Sequence, residues 1–507
     1  MKALSQILGG NLRQYFMVAV LVLTLLFFEW RTGGKMITPS NFQNLLNGNA
    51  YVLVIAIGML FVIITGQIDL APGSVAAVVG ICVAMSITKV DPDTGALISP
   101  WWWMGIPVGV VVALAVAVGV GRALERRRRL SRGPAILAGL LSGLVAGGAS
   151  GAAVCWLISA FGIPWWGGVL VGLGVGAAIG VWQGAWLAYI GVPGFITTLA
   201  GQMLFRGLNQ RIGDAQTIPV PKQIQFIGGG YLPDVGPVWG PSTDGSGVNN
   251  LTLLLGLVAI AAIAVLEFRR RGKLARAGMV VAPLWTSVVR LAFLAVVIGG
   301  LAFLYASGLK GTSFPITGCI LVLVVLVYNF IATRTTLGRG VYAVGGNRIA
   351  AGLTGINTKK IYFLTMANVS FLAGLAAVMY VGRARASGPS DGVGWELDAI
   401  AAVFIGGAAV SGGVGTVFGS IMGGLVMASL NNGLYLMSVR SDTMKIIKGL
   451  VLLVAVAIDL YSKAQGRPSI IGTLQRSWQG RRKTPDSDGA TPVATAGTAS
   501  VEAGRTR

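Results

Sequence analysis

Apolar runs separated by short polar or Gly/Pro-rich breaks recur along this chain from Gln14 to Tyr461. Most are long enough to cross roughly 30 Å of hydrocarbon as helices. The pattern predicts spans near 14–30, 50–66, 72–88, 101–120, 134–161, 164–186, 193–211, 250–268, 282–306, 314–333, 361–381, 397–411, 415–437 and 444–462. That is an all-α polytopic transmembrane helical bundle of about 14 spans, about 10 at the fewest. Two members, 397–411 and the start of 415–437, are short and Gly-rich, which suits half-helices or a re-entrant pair.

The most informative break is Arg334 to Lys360, RTTLGRGVYAVGGNRIAAGLTGINTKK, polar and punctuated by glycine. Within it Asn347 is placed as a helix N-cap. RIAAGLT reads as a short helix with Ile349, Ala350 and Leu353 on one side, and Gly355 as its C-terminal stop. About two turns result, roughly 10 Å long. A short capped helix with a small-residue face, held at the membrane surface, suits docking into a groove on a soluble partner. The plainer alternative is an ordinary connecting loop.

Composition agrees with the pattern: 54% hydrophobic and 11% charged residues, against roughly 25% charged in soluble domains. Charge placement then orients the bundle, because short loops rich in Lys and Arg stay in the cytoplasm. RALERRRRLSR (122–132), RRRGKLAR (269–276), the 334–360 segment and the tail after Tyr461 are all basic, and all fall on one side if each span crosses once. Asp91, Asp93, Asp214, Asp234 and Asp244 fall on the other. Both termini are then expected in the cytoplasm. The net charge of +22 is scattered over loops between spans, so it speaks for lipid headgroups and orientation and against nucleic acid.

The first apolar run ends in EWRTGG without a small-residue cleavage pattern, so it is expected to be a true span and not a cleaved signal peptide. Cys82, Cys155 and Cys319 all fall inside expected spans and read as small packing residues. A transmembrane domain over 1–463 is expected, followed by a Pro/Ala/Gly/Ser/Thr-rich, basic, disordered cytoplasmic tail over 464–507. Glycine ladders at i, i+4 spacing (139, 143, 147, 151; 168, 172, 176, 180, 184; 415, 419, 423) predict close helix contacts. The region 121–161 contains little beyond the arginine run and the first ladder, and reads as an inserted helix region.

Enzyme chemistry is hard to place here. Histidine is absent, which removes the commonest general base and metal ligand. Gly34-Lys35 and Gly272-Lys273 lack the Ser or Thr and the upstream glycine of a phosphate-binding loop, so the chain is not expected to hydrolyse ATP itself. It also lacks the chain of mid-membrane carboxylates that a proton-coupled carrier uses. One acidic residue stands apart, in GQIDLAPGS (66–74): Asp69 precedes Pro72, which is well placed as the first residue of the next helix. Asp69 is either a turn former near a helix dipole or, with Gln67 and Ser74, part of a translocation path. Arg206, within FITTLAGQMLFRGLN, must pair or snorkel, and reads as a structural or gating cation.

The segments VIITGQIDLAPGSV (62–75), VPGFITTLAGQMLFRGL (192–208), TLGRGVYAVGGNRIAAGLTGI (336–356), AVSGGVGTVFGSIMGGLVMASLNNGLYLM (409–437) and IIKGLVLLVAVAIDLY (446–461) together resemble the membrane permeases of bacterial ABC importers for ribose, xylose and related monosaccharides. The C-terminal portion is most similar to the xylose type. The resemblance weakens over 121–161 and in the tail. It implies two permease copies forming the pathway and a separate ABC ATPase, carrying ATP and Mg, that engages 336–356. It also implies a periplasmic or lipid-anchored sugar-binding protein, and no cofactor bound by this chain. On that resemblance the coupling surface is expected at Asn347, Ala350, Ala351, Gly352 and Gly355, with Gln67, Asp69, Ser74 and Asn432 as pathway residues. The location implied is the bacterial inner membrane. A stand-alone secondary sugar carrier is the main alternative. A lipid-modifying enzyme would need carboxylates or histidines grouped at one face, and the sequence offers none.

Overall fold

The computed structural model describes residues 12–87, 89–90, 97–98, 113, 116, 120, 132–161, 164–235, 248–279, 283–309 and 311–464. The chain divides into a unit over Met1–Asp459 and a second over Leu460–Arg507. The expected span at 101–120 and the expected tail lie almost wholly outside the described residues, as does the arginine run 122–131.

The centre of the first unit is α2 (Pro39–Ile64), which follows α1 (Leu12–Arg31) and begins with a proline in its first turn. Its strongest apolar window is 83% buried, as suits a helix that is hydrophobic all round and enclosed by other helices. Next come α3 (Pro72–Ser86), α4 (Arg132–Phe161), α5 (Trp165–Ala185) with a π-helical turn over Trp186–Ile190, α6 (Gly194–Ile212) and the short α7 (Lys222–Gly229). A hairpin of α8 (Asn250–Arg276) and α9 (Leu284–Ala306) leads to α10 (Ile316–Arg334), α11 (Thr336–Gly346), α12 (Arg348–Leu353) and α13 (Thr358–Ala384). The series closes with α14 (Trp395–Ile405), α15 (Val417–Leu436) and α16 (Ser441–Ala464).

Helix α13 lies antiparallel to α2: Gly48 faces Arg383, while a Cβ at Gly58 would stand 3.0 Å from the Cα of Val369. Helix α5 lies antiparallel to α13 through the second glycine ladder. Gly168, Gly172, Gly176, Gly180 and Gly184 are all buried, with Gly172 against Val378, Gly176 against Gly374, Gly180 against Ala367 and Gly184 against Phe363. Each missing side chain lets two backbones approach where lipid offers no hydrophobic drive to hold helices together. Gly419 and Gly423 do the same for α14 and α15, meeting Gly406 and Ala402. In α4, Gly143, Gly147 and Gly151 of the first ladder are buried.

Seven described helices are long and apolar enough to cross a membrane: Pro39–Ile64, Trp165–Ile190, Asn250–Arg276, Leu284–Ala306, Ile316–Arg334, Thr358–Ala384 and Val417–Leu436. This establishes a polytopic helical bundle, with fewer full-length apolar crossings than the pattern predicts. Among the described residues the shortfall has physical causes. α3 has 15 residues, about 22 Å at the helical rise, and α14 has 11, about 16 Å. The expected span 397–411 is thus a half-helix, ended where Gly407, Gly412 and Gly413 take positive φ. α6 has the length but carries Gln202, Arg206, Asn209, Gln210 and Arg211. The described chain is also not purely helical. Two-residue strands β1 (Lys89–Val90) and β2 (Leu97–Ile98) pair with each other, and β3 (Ile218–Pro219) pairs with β4 (Ala386–Ser387).

Candidate functional site: a capped surface helix and a buried polar cluster

Two features stand out. The first is the connection from α10 to α13, built as three successive capped helices. Thr335 Oγ1 accepts from Gly338 N (3.2 Å) to start α11, Asn347 Oδ1 accepts from Ala350 N (3.0 Å) to start α12, and Asn357 Oδ1 accepts from Lys360 N (3.0 Å) to start α13. Gly355 takes φ +85°, the left-handed conformation expected of a helix stop. α12 has six residues, somewhat under the two turns expected. It buries Ala351 and leaves Ile349 77% and Leu353 85% exposed. Ala350 and Gly352 are exposed too, and a Cβ on Gly352 would meet nothing within 4 Å. The guanidinium of Arg348 lies over the Tyr362 ring, 5.3 Å from its centroid.

Of the five expected coupling residues, Asn347 caps, Gly355 stops, Ala351 anchors, and Ala350 and Gly352 face outward. Sequence reasoning placed Ile349 and Leu353 on the helix without naming them as contacts, yet they carry most of the exposed apolar surface. It took 334–360 as one Gly-punctuated polar break with a helix only at RIAAGLT, where the structure adds α11, which contains Gly338, Gly340, Gly345 and Gly346. Three of them are close-packing positions. A Cβ on Gly340 would press on Ile361 at 2.8 Å, Gly338 abuts the Ile331 carbonyl, and Gly345 abuts that of Ile64.

Helix α11 is tied to the core behind it. Tyr342 Oη donates to the Gly415 carbonyl (2.8 Å), and Gly413 N donates to the Ile64 carbonyl (2.8 Å). The connection 406–416 between α14 and α15, the end of α2 and the capped helices therefore meet at one place.

The second feature lies where α2 breaks. Gly66 takes φ +77° and the chain resumes as α3 at Pro72. Asp69 is fully buried, and its Oδ1 accepts from Ala71 N (2.8 Å), an Asx-type turn that sets the entry to α3. Its Oδ2 and the Ser74 hydroxyl are buried without a hydrogen-bond partner, as is Glu396 Oε2. Gly73 lies against both the Gly392 carbonyl and Glu396 Oε2, which brings the α13–α14 connection onto the start of α3. That connection folds inward on positive φ at Arg385, Gly392 and Gly394. Glu396 Oε1 accepts from Gln202 Nε2 (3.2 Å), and Arg206 Nη1 donates to the Asp391 carbonyl. The Asp391 carboxylate accepts from Tyr380 Oη (3.2 Å), Ser387 Oγ (3.2 Å) and Gly388 N (2.8 Å).

The structure therefore brings Gln67, Asp69 and Ser74 to one region, with Gln67 against Gly194 at the start of α6. Asn432, on α15, donates its Nδ2 to Asn41 Oδ1 (2.9 Å). The structure adds Gln202, Asp391 and Glu396, which sequence reasoning missed, and supplies the partner that Arg206 required. The available signal was the pair of acidic residues flanking the Gly-rich approach to a short span. Chemically the cluster offers donors and acceptors in a low-dielectric setting and suits hydroxyl groups. The nearby ion pair Lys448–Asp398 (2.8 Å; side chains 26% and 10% exposed) ties α14 to α16.

A break in the central helix, a half-helix beside it and a capped surface helix sit in a polytopic helical membrane protein, and its relatives make the class a membrane permease. The chain belongs to the family described as branched-chain amino acid transport system / permease component, whose model matches residues 142–456. It is 30% identical over 454 residues to the xylose transport system permease protein XylH of Haemophilus influenzae, covering 89% of this chain and 97% of that protein. With the Escherichia coli K12 protein of the same name it shares 32% over 456 residues, 89% of this chain and 93% of the relative. The ribose import permease protein RbsC of E. coli K12 is 42% identical over 137 residues, 27% of this chain and 43% of that one. No solved structure matches significantly.

Proposed function

We propose that this chain is the permease subunit of an ATP-driven importer that carries a monosaccharide, a pentose such as xylose, across the bacterial inner membrane. A separate ABC ATPase binds and hydrolyses ATP with Mg. A periplasmic or lipid-anchored sugar-binding protein delivers the substrate, and two permease copies enclose the pathway. The observation that carries the reading is α12: a six-residue helix capped at both ends, anchored by Ala351 and presenting Ile349 and Leu353 at 77% and 85% exposure. A soluble partner's groove is the natural cover for such a face. The basic 334–360 segment supports a cytoplasmic position for it and, with the other basic loops, for both termini.

Force applied to α12 reaches α11, and through the Tyr342–Gly415 and Gly413–Ile64 bonds it reaches the break in α2 and the half-helix α14. Asp69 lies in that break with Ser74 just beyond it on α3, and Glu396 on α14 accepts from Gln202 of α6, so the coupling face and the polar cluster share one mechanical connection. A neutral sugar needs hydrogen-bond partners more than counter-ions, which a cluster of amide, hydroxyl and carboxylate groups supplies. Gln67, Asp69 and Ser74 belong to this pathway, as does Asn432 on α15.

Reconstitution of the chain in proteoliposomes tests the proposal. Labelled xylose should enter only when a cognate ATPase, ATP and a sugar-binding protein are all supplied. Saturable uptake by the chain alone would establish the stand-alone carrier instead.

A further inference from the structure

Helices α8 and α9 stand apart from the packed core: the apolar window of each is 6% buried. Between them runs a cleft of about 330 Å³, within the range of small ligand pockets and lined only by apolar side chains. Ile260, Ala264 and Phe268 form one wall and Val288, Leu291 and Ala295 the other.

One end of this cleft is strongly basic. Phe268 is followed at once by Arg269, Arg270 and Arg271, then Lys273 and Arg276, and Arg290 lies two residues past Val288. Ala264, Phe268 and Arg271 follow an i, i+4, i+7 line on α8, so the basic end continues the face that lines the cleft. Arg271 Nη1 donates to Ser287 Oγ (2.7 Å), which donates to Glu267 Oε1 (3.1 Å), pinning the helices together at the mouth. Arg269, Arg270, Lys273, Arg276 and Arg290, all near this end of the two helices, are exposed.

We propose that this cleft and its basic rim bind one anionic phospholipid, with an acyl chain between α8 and α9 and the phosphate beside Arg269, Arg271 and Arg276. An acyl chain matches a lining with no polar side chain. Basic pockets between transmembrane helices favour anionic headgroups, and the attraction is confined to about one Debye length. A second copy of this chain is a poor occupant, because two-fold docking of this face would bring the two basic rims together. A soluble phosphate would leave the cleft unfilled.

The test is lipid retention by the full-length permease in detergent micelles, read by native mass spectrometry during titration with dioleoyl phosphatidylglycerol, dioleoyl phosphatidylcholine or inorganic phosphate. The wild type should retain phosphatidylglycerol in preference to phosphatidylcholine, and inorganic phosphate should not displace it. Arg269→Ala with Arg276→Ala should weaken retention roughly fivefold per arginine, the order expected for a cation at an anionic surface. Ala264→Leu with Ala295→Leu, which fills the cleft and leaves the charges, should weaken it as well. The arginine variants are at exposed positions, so their folding is expected to be unchanged, which a thermal unfolding scan checks. Equal retention of both lipids, displacement by phosphate, or wild-type retention by the arginine variants would overturn the proposal. So would a cleft-filling variant that changes the oligomeric mass and leaves lipid retention untouched.

Discussion

Asp69 divides its carboxylate between a backbone contact and a buried oxygen left without a partner. Oδ1 holds Ala71 N at 2.8 Å while Oδ2 is buried and unpartnered, so the two oxygens have separable roles. Asn retains an oxygen for the first role. Asp69→Asn is therefore expected to keep normal abundance and thermal stability, and a strong uptake loss at normal abundance would assign Oδ2 to the pathway. Asp69→Leu should instead destabilise the protein by about 1–3 kcal/mol, because Ala71 N is left buried without an acceptor. Thermal unfolding in detergent separates the two. Asp69 was legible as an outlier, an acid between two apolar runs next to a helix-starting proline. Glu396 and Asp391 were not, since their partners Gln202 and Arg206 lie 194 and 185 residues away and only the folded chain brings them together.

At the scale of elements, glycine spacing carried the most information. The ladder of α5 was visible as an i, i+4 repeat, and the structure uses it for close packing on α13. Gly176→Val should cost about 1–3 kcal/mol, the usual penalty of overpacking, because its Cβ would stand 2.9 Å from the Ser370 carbonyl. Gly174→Ala, one turn-face away, should be neutral or slightly stabilising, since nothing lies within 4 Å. Paired thermal melts of the two variants test the ladder directly. At α11 the sequence showed only glycine punctuation, and the structure gives Gly338, Gly340 and Gly345 close contacts with Ile331, Ile361 and Ile64. Local sequence cannot distinguish a glycine that frees the backbone from one that admits a neighbour. The half-helix α14 was foreseeable from its length, and its clamp to α16 was not. Lys448→Met should destabilise by about 3 kcal/mol by leaving Asp398 unpaired in a poorly hydrated site, and adding Asp398→Leu should restore much of the loss. A double-mutant cycle on thermal stability reads the difference.

For the whole molecule, hydropathy gave the class because bilayer thickness fixes helix length, and the bundle follows from it. Its division into full crossings, a break after α2 and a half-helix depended on contacts between distant segments. The arrangement joins an exposed capped helix at one end to a polar cluster at the break, through α11 and the 406–416 connection. A transporter driven from outside its own chain needs such a route. The central claim is that α12 is where that drive enters. The most direct measurement is purification of the tagged full-length chain from its native host in mild detergent, with the stoichiometry of the retained ATPase determined for wild type and Gly352→Trp. A Cβ at Gly352 meets nothing within 4 Å, so the variant should insert and fold normally. The account predicts an ATPase present in equal copies with the wild type and lost from Gly352→Trp, with uptake lost in parallel. Undiminished ATPase retention and uptake in Gly352→Trp would contradict it.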